Sequence, residues 1–202
     1  MDDGTKLSAA GLPTATANTG YAFTGWKVGT DSSTVDTNTY EVKDNITLTP
    51  VFTVQSYDFT YTQNESTVSV TAGVEAGKAT YGQNVTFTVT PNAKHIVKQV
   101  SFTVGGSGTA KTITPVDGVY TIPGAAITGP VALQLTSNET VTVTFAAGEN
   151  GSVGGTTAFV LDKGGKLTAD QLNAVKKTGN AGYTFKELSL IHISEPTRLD
   201  VI

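Results

Sequence analysis

Several residue types are absent or scarce in this chain. It has no cysteine among 202 residues, which excludes disulfides, zinc–thiolate sites and thiol nucleophiles. No apolar run approaches the roughly 20 residues that a membrane-spanning helix needs, and the N-terminus lacks the basic and then apolar pattern of a signal peptide. The net charge is −4 and the 13 basic residues are scattered. We therefore expect neither nucleic-acid binding nor membrane insertion.

Threonine and glycine are abundant instead, with 36 and 22 residues. Threonine and valine favour extended backbone, and glycine, asparagine and aspartate favour turns. Polar and apolar residues alternate with period 2, which is typical of half-buried strands. The predicted strands are 57–62, 67–71, 85–90, 96–104, 110–114, 119–122, 131–136 and 141–145.

The predicted turns and the one predicted helix have their own signals. The glycine-rich residues 105–108 connect two strands. Asn150 and Gly151 suit a tight hairpin turn, which we expect to join residues 141–147 to a strand near 156–161. Residues 167–172 predict a short helix, because Thr168 and Gln171 have the spacing of a capping box.

The chain contains an internal repeat. Residues 4–12 align with residues 164–172 at an offset of 160, and both segments carry a Lys-Leu pair. Residues 20–23 (Gly-Tyr-Ala-Phe) align with residues 182–185 (Gly-Tyr-Thr-Phe) at an offset of 162. Because order, spacing and residue type all agree, we interpret the two segments as copies of one module.

The two copies differ in which part of the module they contain. The first begins at its helix-like segment and runs to Val54, whereas the second begins near Val141 and stops after Phe185. The first copy thus lacks a hairpin and the second lacks the closing strands. We expect residues 139–185 to pair with residues 26–53 and so complete one module, since unpaired sheet edges are unfavourable.

Two motifs of the first copy resemble a known family. Residues 20–26 read Gly-Tyr-Ala-Phe-Thr-Gly-Trp, and residues 44–52 read Asp-Asn-Ile-Thr-Leu-Thr-Pro-Val-Phe. They resemble the core and closing strand of the internalin B-repeat (Listeria–Bacteroides repeat), and residues 143–185 resemble its opening half. The resemblance implies a small β-grasp-like module of secreted bacterial cell-surface proteins. Residues 118–129 resemble part of an Ig-like β-sandwich.

The last residues have a different character. After Lys186 the repeat calls for Gly-Trp, but Glu187 and Leu188 stand there. Residues 188–198 are similar to the translation of a transposase sequencing adapter, and Arg198 is the only arginine in the chain. We interpret residues 188–202 as an adapter-derived artefact rather than a genuine tail. We also expect the chain to be a fragment from a metagenomic-type source.

These observations predict an all-β chain in which β-grasp-like repeat part-modules flank an Ig-like β-sandwich. We expect short linkers near residues 54–57 and 137–139. The predicted domains are 1–54, the C-terminal part of a B-repeat-like module; 55–138, the Ig-like β-sandwich; 139–187, the N-terminal part of a second B-repeat-like module; and 188–202, the artefact.

The candidates for catalysis and metal binding are few. His95 is the only histidine before the tail, and the sequence has no nucleophile-elbow motif. We therefore interpret it as a surface residue where a loop meets a strand. Asp31, Asp36 and Asp44 could supply oxygen ligands to calcium, but their spacing does not fit an EF-hand. We favour a solvated loop and predict no catalytic residue, no cofactor and no metal site.

Aromatic residues and lysines offer two further alternatives. Tyr21, Phe23 and Trp26 could stack on a sugar ring, but a small module needs its aromatics in the core, and we favour core packing. Lys78 or Lys98 could form an isopeptide crosslink with Asn138, although ordinary surface lysines are the simpler interpretation. The Asn-x-Ser/Thr sequons at Asn45, Asn64, Asn84, Asn138 and Asn150 follow from the threonine content.

The expected function is that of a non-catalytic extracellular spacer or stalk module of a bacterial cell-surface or cell-wall protein. Repeated modules that pack on their neighbours form rods, and we expect a monomer. One alternative is an adhesive module that binds a host or cell-wall glycan or a surface protein. Another is the accessory region of a secreted glycan-degrading enzyme. The sequence does not identify a ligand-binding residue.

Overall fold

The computed structural model describes residues 5–8, 11–106, 108–186, 188–190 and 198–201. Strands make up 52% of the chain and helices 6%, which confirms the all-β prediction. No helix within the described ranges is both long enough and apolar enough to cross a membrane. Part of the predicted adapter-derived segment, residues 191–197 and 202, lies outside the described residues.

The strands follow the alternating stretches of sequence closely. In chain order they are β1 (Thr5–Lys6), β2 (Tyr21–Val28), β3 (Glu41–Val42), β4 (Leu48–Val54), β5 (Ser56–Tyr61), β6 (Ser66–Ala72), β7 (Val74–Glu75), β8 (Lys78–Thr80), β9 (Val85–Pro91), β10 (His95–Val104), β11 (Lys111–Ile113), β12 (Tyr120–Ile122), β13 (Val131–Ala146), β14 (Gly151–Gly155), β15 (Ala158–Asp162), β16 (Val175–Gly179), β17 (Leu188–Leu190) and β18 (Arg198–Val201). The helical elements with described bounds include a 3-10 turn at Gly124–Ala126 and α1 at Ala169–Ala174.

The strands among the described residues form five sheets. The largest has the order β11-β10-β13-β5-β8-β7, with β15 and β18 also paired to β13 and β17 paired to β18. A three-stranded sheet has the order β12-β9-β6, and three two-stranded sheets are β1-β3, β2-β4 and β14-β16. Most pairs are antiparallel, but β13 runs parallel to β5. The Ig-like and β-grasp-like descriptions of these sheets stay predictions.

Strand β9 shows why the sequence pattern works. Val85 and Phe87 are fully buried on one face, whereas Thr86 and Thr88 on the other face are partly exposed. The ring of Phe87 stacks on Tyr120 of β12 at a centroid distance of 5.3 Å. Because alternate side chains point to opposite faces, the Val-Thr-Phe-Thr sequence gives one apolar face and one hydroxyl face.

The chain divides into two compact units. The first comprises residues 1–62, 69–88 and 100–134, and the second comprises residues 63–68, 89–99 and 135–202. The core of the first unit contains Phe59, Ala79, Val85, Phe87, Val100, Phe102, Ile122, Ile127, Val131 and Leu133. The core of the second contains Val143, Phe145 and Val175. The domain boundaries predicted from the sequence stay predictions.

The linker predicted near residues 137–139 was wrong, whereas the one near residues 54–57 stays a prediction. Gln55 is the only residue between β4 and β5, and its N–H donates to the Gly20 carbonyl at 2.8 Å while its carbonyl accepts from the Tyr81 N–H at 3.0 Å. Residues 137–139 lie inside β13, which continues unbroken from Val131 to Ala146. Both stretches are held by backbone hydrogen bonds, which polar linker composition alone does not reveal.

Pairing within the first copy also differs from expectation. Strand β2 pairs with β4 over Tyr21–Val28, and β1 pairs with β3. Both pairs therefore lie within residues 5–54. The expected completion of this region by residues 139–185 was wrong, because β2 and β4 form a two-stranded sheet that no other described strand joins.

The second copy begins with β13 and ends just before the tail. Strand β15 pairs with the end of β13, from Thr140↔Asp162 to Thr144↔Ala158, as the sequence suggested. The predicted two-residue hairpin at Asn150–Gly151 was wrong, however. Asn150 has a positive φ of 61°, but Gly151 begins the additional strand β14, which pairs with β16.

Helix α1 confirms the predicted capping box. The Gln171 N–H donates to Thr168 Oγ1 at 3.2 Å, and the Thr168 N–H donates to Gln171 Oε1 at 2.9 Å. Two of the backbone donors that a helix start leaves unpaired are thereby satisfied. The helix is only six residues long, and its apolar Leu172 packs against the core of the second unit.

Candidate functional site

A β-bulge in β2 places two large aromatic rings on one face. Phe23 is opposite Phe52 and Trp26 is opposite Pro50, with a register shift between Phe23 and Gly25. Residues three apart on a regular strand point to opposite faces, but one extra bulged residue returns them to the same face. The rings of Phe23 and Trp26 accordingly lie 5.6 Å apart, edge to face.

These residues form an aromatic surface, defined as Tyr21, Phe23, Trp26, Phe52 and Tyr81. Tyr21 is 43% exposed and Phe23 is 38% exposed. The ring centroids of Tyr21 and Tyr81 are 5.9 Å apart, and those of Phe23 and Phe52 are also 5.9 Å apart. The predicted core packing was therefore wrong for Tyr21 and Phe23, because the two-stranded sheet β2-β4 leaves much of both rings in contact with solvent.

The turn before β2 recurs in the second copy. The Tyr21 N–H donates to the Asn18 carbonyl at 3.0 Å, and the Tyr183 N–H donates to the Asn180 carbonyl at 2.9 Å. The glycines that follow each asparagine by two residues have φ values of 80° and 85°. The same local backbone thus appears 162 residues apart, at the offset of the sequence repeat.

A groove lies beside the first pair of strands in the first unit. It has a volume of about 500 Å³ and is lined by both polar and apolar residues. The apolar lining, called the leucine groove from here on, consists of Leu7, Leu12, Val42, Ile46 and Leu48. Sequence reasoning missed it, because β3 and the loop after it carry no strong strand pattern.

Two of the three carboxylates considered for calcium accept hydrogen bonds from nearby backbone N–H groups. Asp36 Oδ1 accepts the Asn38 N–H at 2.9 Å, and Asp44 Oδ1 accepts the Asn45 N–H at 2.7 Å. Asp36 therefore shapes the loop between β2 and β3 through a short-range turn. In the part of the chain that the structure describes, no three His, Cys, Asp or Glu side chains are grouped as metal ligands.

The second unit carries a network of charged side chains. Lys98 Nζ lies 2.8 Å from Asp162 Oδ1, and Asn138 Nδ2 donates to Asp162 Oδ2 at 3.1 Å. Hydrogen bonds from Lys98, and then from Asn138, lower the pKa of the Asp162 carboxyl. Next to this group, Lys163 Nζ lies 2.8 Å from Glu139 Oε2. The hydrogen bond from Lys163 is the main cause of the lowered pKa of Glu139.

The structure thus brings Lys98 and Asn138 of the suggested isopeptide together, through Asp162. Formation of that amide needs a neutral lysine amine as nucleophile. Here Lys98 Nζ instead lies 2.8 Å from a carboxylate, Asp162 Oδ1, whose pKa is lowered. The arrangement fits an exposed ion pair, and the crosslink stays a prediction. Lys78 instead pairs with Asp58 at 2.7 Å.

His95 begins β10, as expected for a residue between loop and strand. Its Nδ1 lies 3.0 Å from the Ala93 carbonyl oxygen, and its Nε2 lies 4.0 Å from Glu65 Oε2. The side chain is 21% exposed. Glu65 also accepts from Asn92 Nδ2 at 3.3 Å, so these contacts tie the loop before β10 to the start of β6.

The fold and these surfaces define a β-rich repeat module. Residues 3–56 match the family model of the divergent InlB B-repeat domain. The internalin B-repeat resemblance is therefore confirmed in this segment, and it indicates a module of a bacterial surface protein. No curated protein and no solved structure matches the chain significantly.

Proposed function

We propose that this chain is a non-catalytic, extracellular spacer or stalk module of a bacterial cell-surface protein. The observation that carries the proposal is the recurrence of one turn, Asn18–Gly20 and Asn180–Gly182, in a chain whose first copy matches a known surface-protein repeat. Chains built of such repeats extend by adding units that pack on their neighbours. The module would then contribute length to the surface protein, and not a particular binding surface.

The side chains that could carry catalysis support a structural role. A catalytic site needs a base, a nucleophile or a metal held in mutual reach. Among the described residues, His95 faces Glu65 and a backbone carbonyl. Lys98 and Lys163 are each paired with a carboxylate. We propose that the chain acts as a monomer, without a cofactor and without binding nucleic acid.

A display experiment tests the spacer proposal. The chain is placed between a cell-wall anchor and an epitope, and antibody access to the epitope is measured on whole cells. We expect access to fall when the chain is deleted and to recover when an unrelated β-domain of equal length replaces it. If the unrelated domain fails to restore access although it is displayed at the same level, the spacer function is wrong.

A second candidate function, adhesion to a glycan or protein, is favoured by the aromatic surface. Tyr21 and Phe23 expose ring area beside Trp26, and aromatic rings of this kind stack on sugar rings or anchor protein interfaces. The function would need no change of fold, because the rings are held by their edge-to-face contacts.

Glycan arrays and pull-down from host surface extracts separate the two functions. For an adhesive module, we expect saturable binding that Phe23→Ala or Trp26→Ala weakens at least about tenfold. Tyr61→Ala is the matched control, because Tyr61 is also a half-exposed aromatic of the first unit but lies outside the aromatic surface. Equal loss in Phe23→Ala and Tyr61→Ala would argue against a specific adhesive surface.

A further inference from the structure

Strand β5 runs parallel to the beginning of β13. Residues 59–61 of β5 pair with residues 131–133 of β13 in a parallel register, and these paired residues are called the parallel clamp from here on. In the order of the sheet, β13 lies between β5 and β10. Because the two strands run in the same direction, the N-terminal end of β5 and the C-terminal end of the paired part of β13 lie at opposite ends of the clamp.

The chain enters and leaves this clamp at its opposite ends. Strand β5 begins at Ser56, so tension on the preceding residues pulls β5 from its N-terminal end. Strand β13 continues without a break from Leu133 to Ala146, so tension on the following residues pulls β13 from its C-terminal end. The two pulls act along the strands in opposite directions and would slide one strand past the other. Strands loaded in this way must break their hydrogen bonds together, and not one after another.

The antiparallel pairs of the two repeat copies are loaded differently. Tyr21, where β2 begins, is opposite Val54, where β4 ends. A pull on the residues before Tyr21 and after Val54 therefore acts at one end of the pair and opens its hydrogen bonds one after another. The same holds for β13 and β15, since Thr140, where their pairing begins, is opposite Asp162, where β15 ends. Tension along the chain thus unzips these two pairs but shears the parallel clamp.

Buried side chains cover the parallel clamp. Phe59, Val131 and Leu133 are 6%, 1% and 3% exposed. Water that reaches a strand pair can replace its hydrogen bonds while they open, and an apolar cover hinders this replacement. Thr60 Oγ1 also donates to the Val131 carbonyl at 3.4 Å. The hydrogen bonds that would have to break together are thus also the ones that are protected from water.

We infer that the parallel clamp is a force-bearing element, which resists tension along the chain after the strand pairs of the repeat copies have opened. The inference rests on the proposed spacer function, because a spacer on a cell surface is pulled along its chain. The two can nevertheless fail separately. The display experiment measures how far the chain reaches on whole cells, whereas a pulling experiment on the purified chain measures its mechanical strength.

Two double-cysteine variants load the same clamp in different directions. The chain has no cysteine, so introduced cysteines give unique attachment points for the handles of single-molecule force spectroscopy. Ser56→Cys with Gln134→Cys attaches the handles at opposite ends of the clamp, whereas Thr62→Cys with Gln134→Cys attaches both at one end. We expect the unfolding force of the first variant to be at least about twofold higher, because the hydrogen bonds of the clamp then share the load.

Urea unfolding of the two variants without handles is the control. Ser56, Thr62 and Gln134 are all exposed, so we expect equal free energies of unfolding, and the difference in force then reports the direction of loading. Equal unfolding forces in the two directions would overturn the inference. A higher force for the variant with Thr62→Cys would overturn it as well, since the clamp would then resist unzipping better than shear.

Core variants separate the clamp from overall stability, because forced unfolding is governed by the unfolding rate and not by the free energy of unfolding. Leu133→Ala uncovers the clamp. Ile122→Ala also truncates a buried side chain, but in β12, which belongs to a different sheet. With the handles at residues 56 and 134, we expect Leu133→Ala to lower the unfolding force more than Ile122→Ala, although both reduce the free energy of unfolding. An equal loss of force in the two variants would overturn the inference, since the mechanical barrier would then not lie in the clamp.

Discussion

The ring of Tyr81 occupies the space where a Cβ on Gly20 would lie. Gly20 also has a φ of 80°, a conformation that residues with a side chain rarely adopt. The same glycine accepts the Gln55 N–H through its carbonyl at 2.8 Å. One residue without a side chain thus allows the turn before β2, the approach of Tyr81 and the bonded junction between β4 and β5.

Substitution of this glycine should be costly. We expect Gly20→Ala to lower the free energy of unfolding by about 2–4 kcal/mol, since left-handed backbone strain and overpacking against Tyr81 add together. Gly29→Ala is the control, because Gly29 has a positive φ of 55° but a Cβ added there would meet nothing within 4 Å. Urea unfolding followed by Trp26 fluorescence measures both, and equal losses would show that Tyr81 does not matter.

The core of the first unit depends on Phe87. Phe87 is fully buried and stacks on Tyr120, so Phe87→Ala should reduce the free energy of unfolding by about 3–5 kcal/mol. Phe185→Ala removes the same group from a side chain that is 40% exposed, and it should cost much less. Urea titrations monitored by circular dichroism compare the two variants. A cost below about 1 kcal/mol for Phe87→Ala would contradict this packing.

The capping box gives a local prediction. We expect Thr168→Ala to destabilise α1 by about 1 kcal/mol, because the Gln171 N–H loses its acceptor at the helix start. Thr168→Ser keeps a hydroxyl at this position and should retain most of the stability. Hydrogen exchange of residues 171–174 is the appropriate measurement, and unchanged exchange in Thr168→Ala would show that the cap contributes nothing.

Acid should weaken the charged network of the second unit. The pKa values of Asp162 and Glu139 are lowered from 3.8 and 4.5 by their lysine partners. A carboxylate with a depressed folded-state pKa contributes stability above its unfolded pKa, and this contribution is lost as the pH falls through the folded value. The thermal midpoint should therefore decrease as the pH falls below about 4.5.

Removal of the two carboxylates tests this pH dependence. The double variant with Asp162→Asn and Glu139→Gln should lose less stability on acidification than the original chain. Lys98→Met with Lys163→Met should have the same effect, since the partners that lower the pKa values are then missing. A variant as acid-sensitive as the original chain would exclude these pairs as the cause.

Much of the fold could be predicted from the sequence because it is locally determined. The alternation of Val85 and Phe87 with threonines predicted β9, and the spacing of Thr168 and Gln171 predicted α1. The repeat motif of residues 20–26 led to the family that the comparison confirmed for residues 3–56. In each case the signal lies within a few residues of the structure that it predicts.

The surfaces were less predictable because they depend on contacts between residues that are far apart in the sequence. The exposure of Tyr21 and Phe23 follows from the two-stranded sheet that β2 forms with β4, and the alternation along β2 does not reveal how many strands that sheet has. The leucine groove needs β3, which is only two residues long. The pairing of Lys98 with Asp162 depends on the order of β10, β13 and β15, which no local pattern contains.

The unbroken course of β13 has a consequence for proteolysis. A protease needs a segment that can leave its hydrogen bonds and enter the enzyme's cleft, and such segments are found at loop tips and termini. Residues 137–139 do not meet this condition, since the Glu139 carbonyl accepts the Lys163 N–H at 2.8 Å and the Thr140 N–H donates to the Lys94 carbonyl at 2.7 Å. Digestion should spare this stretch and begin at exposed turns, so fragments released by a protease will not end where a composition-based linker was expected.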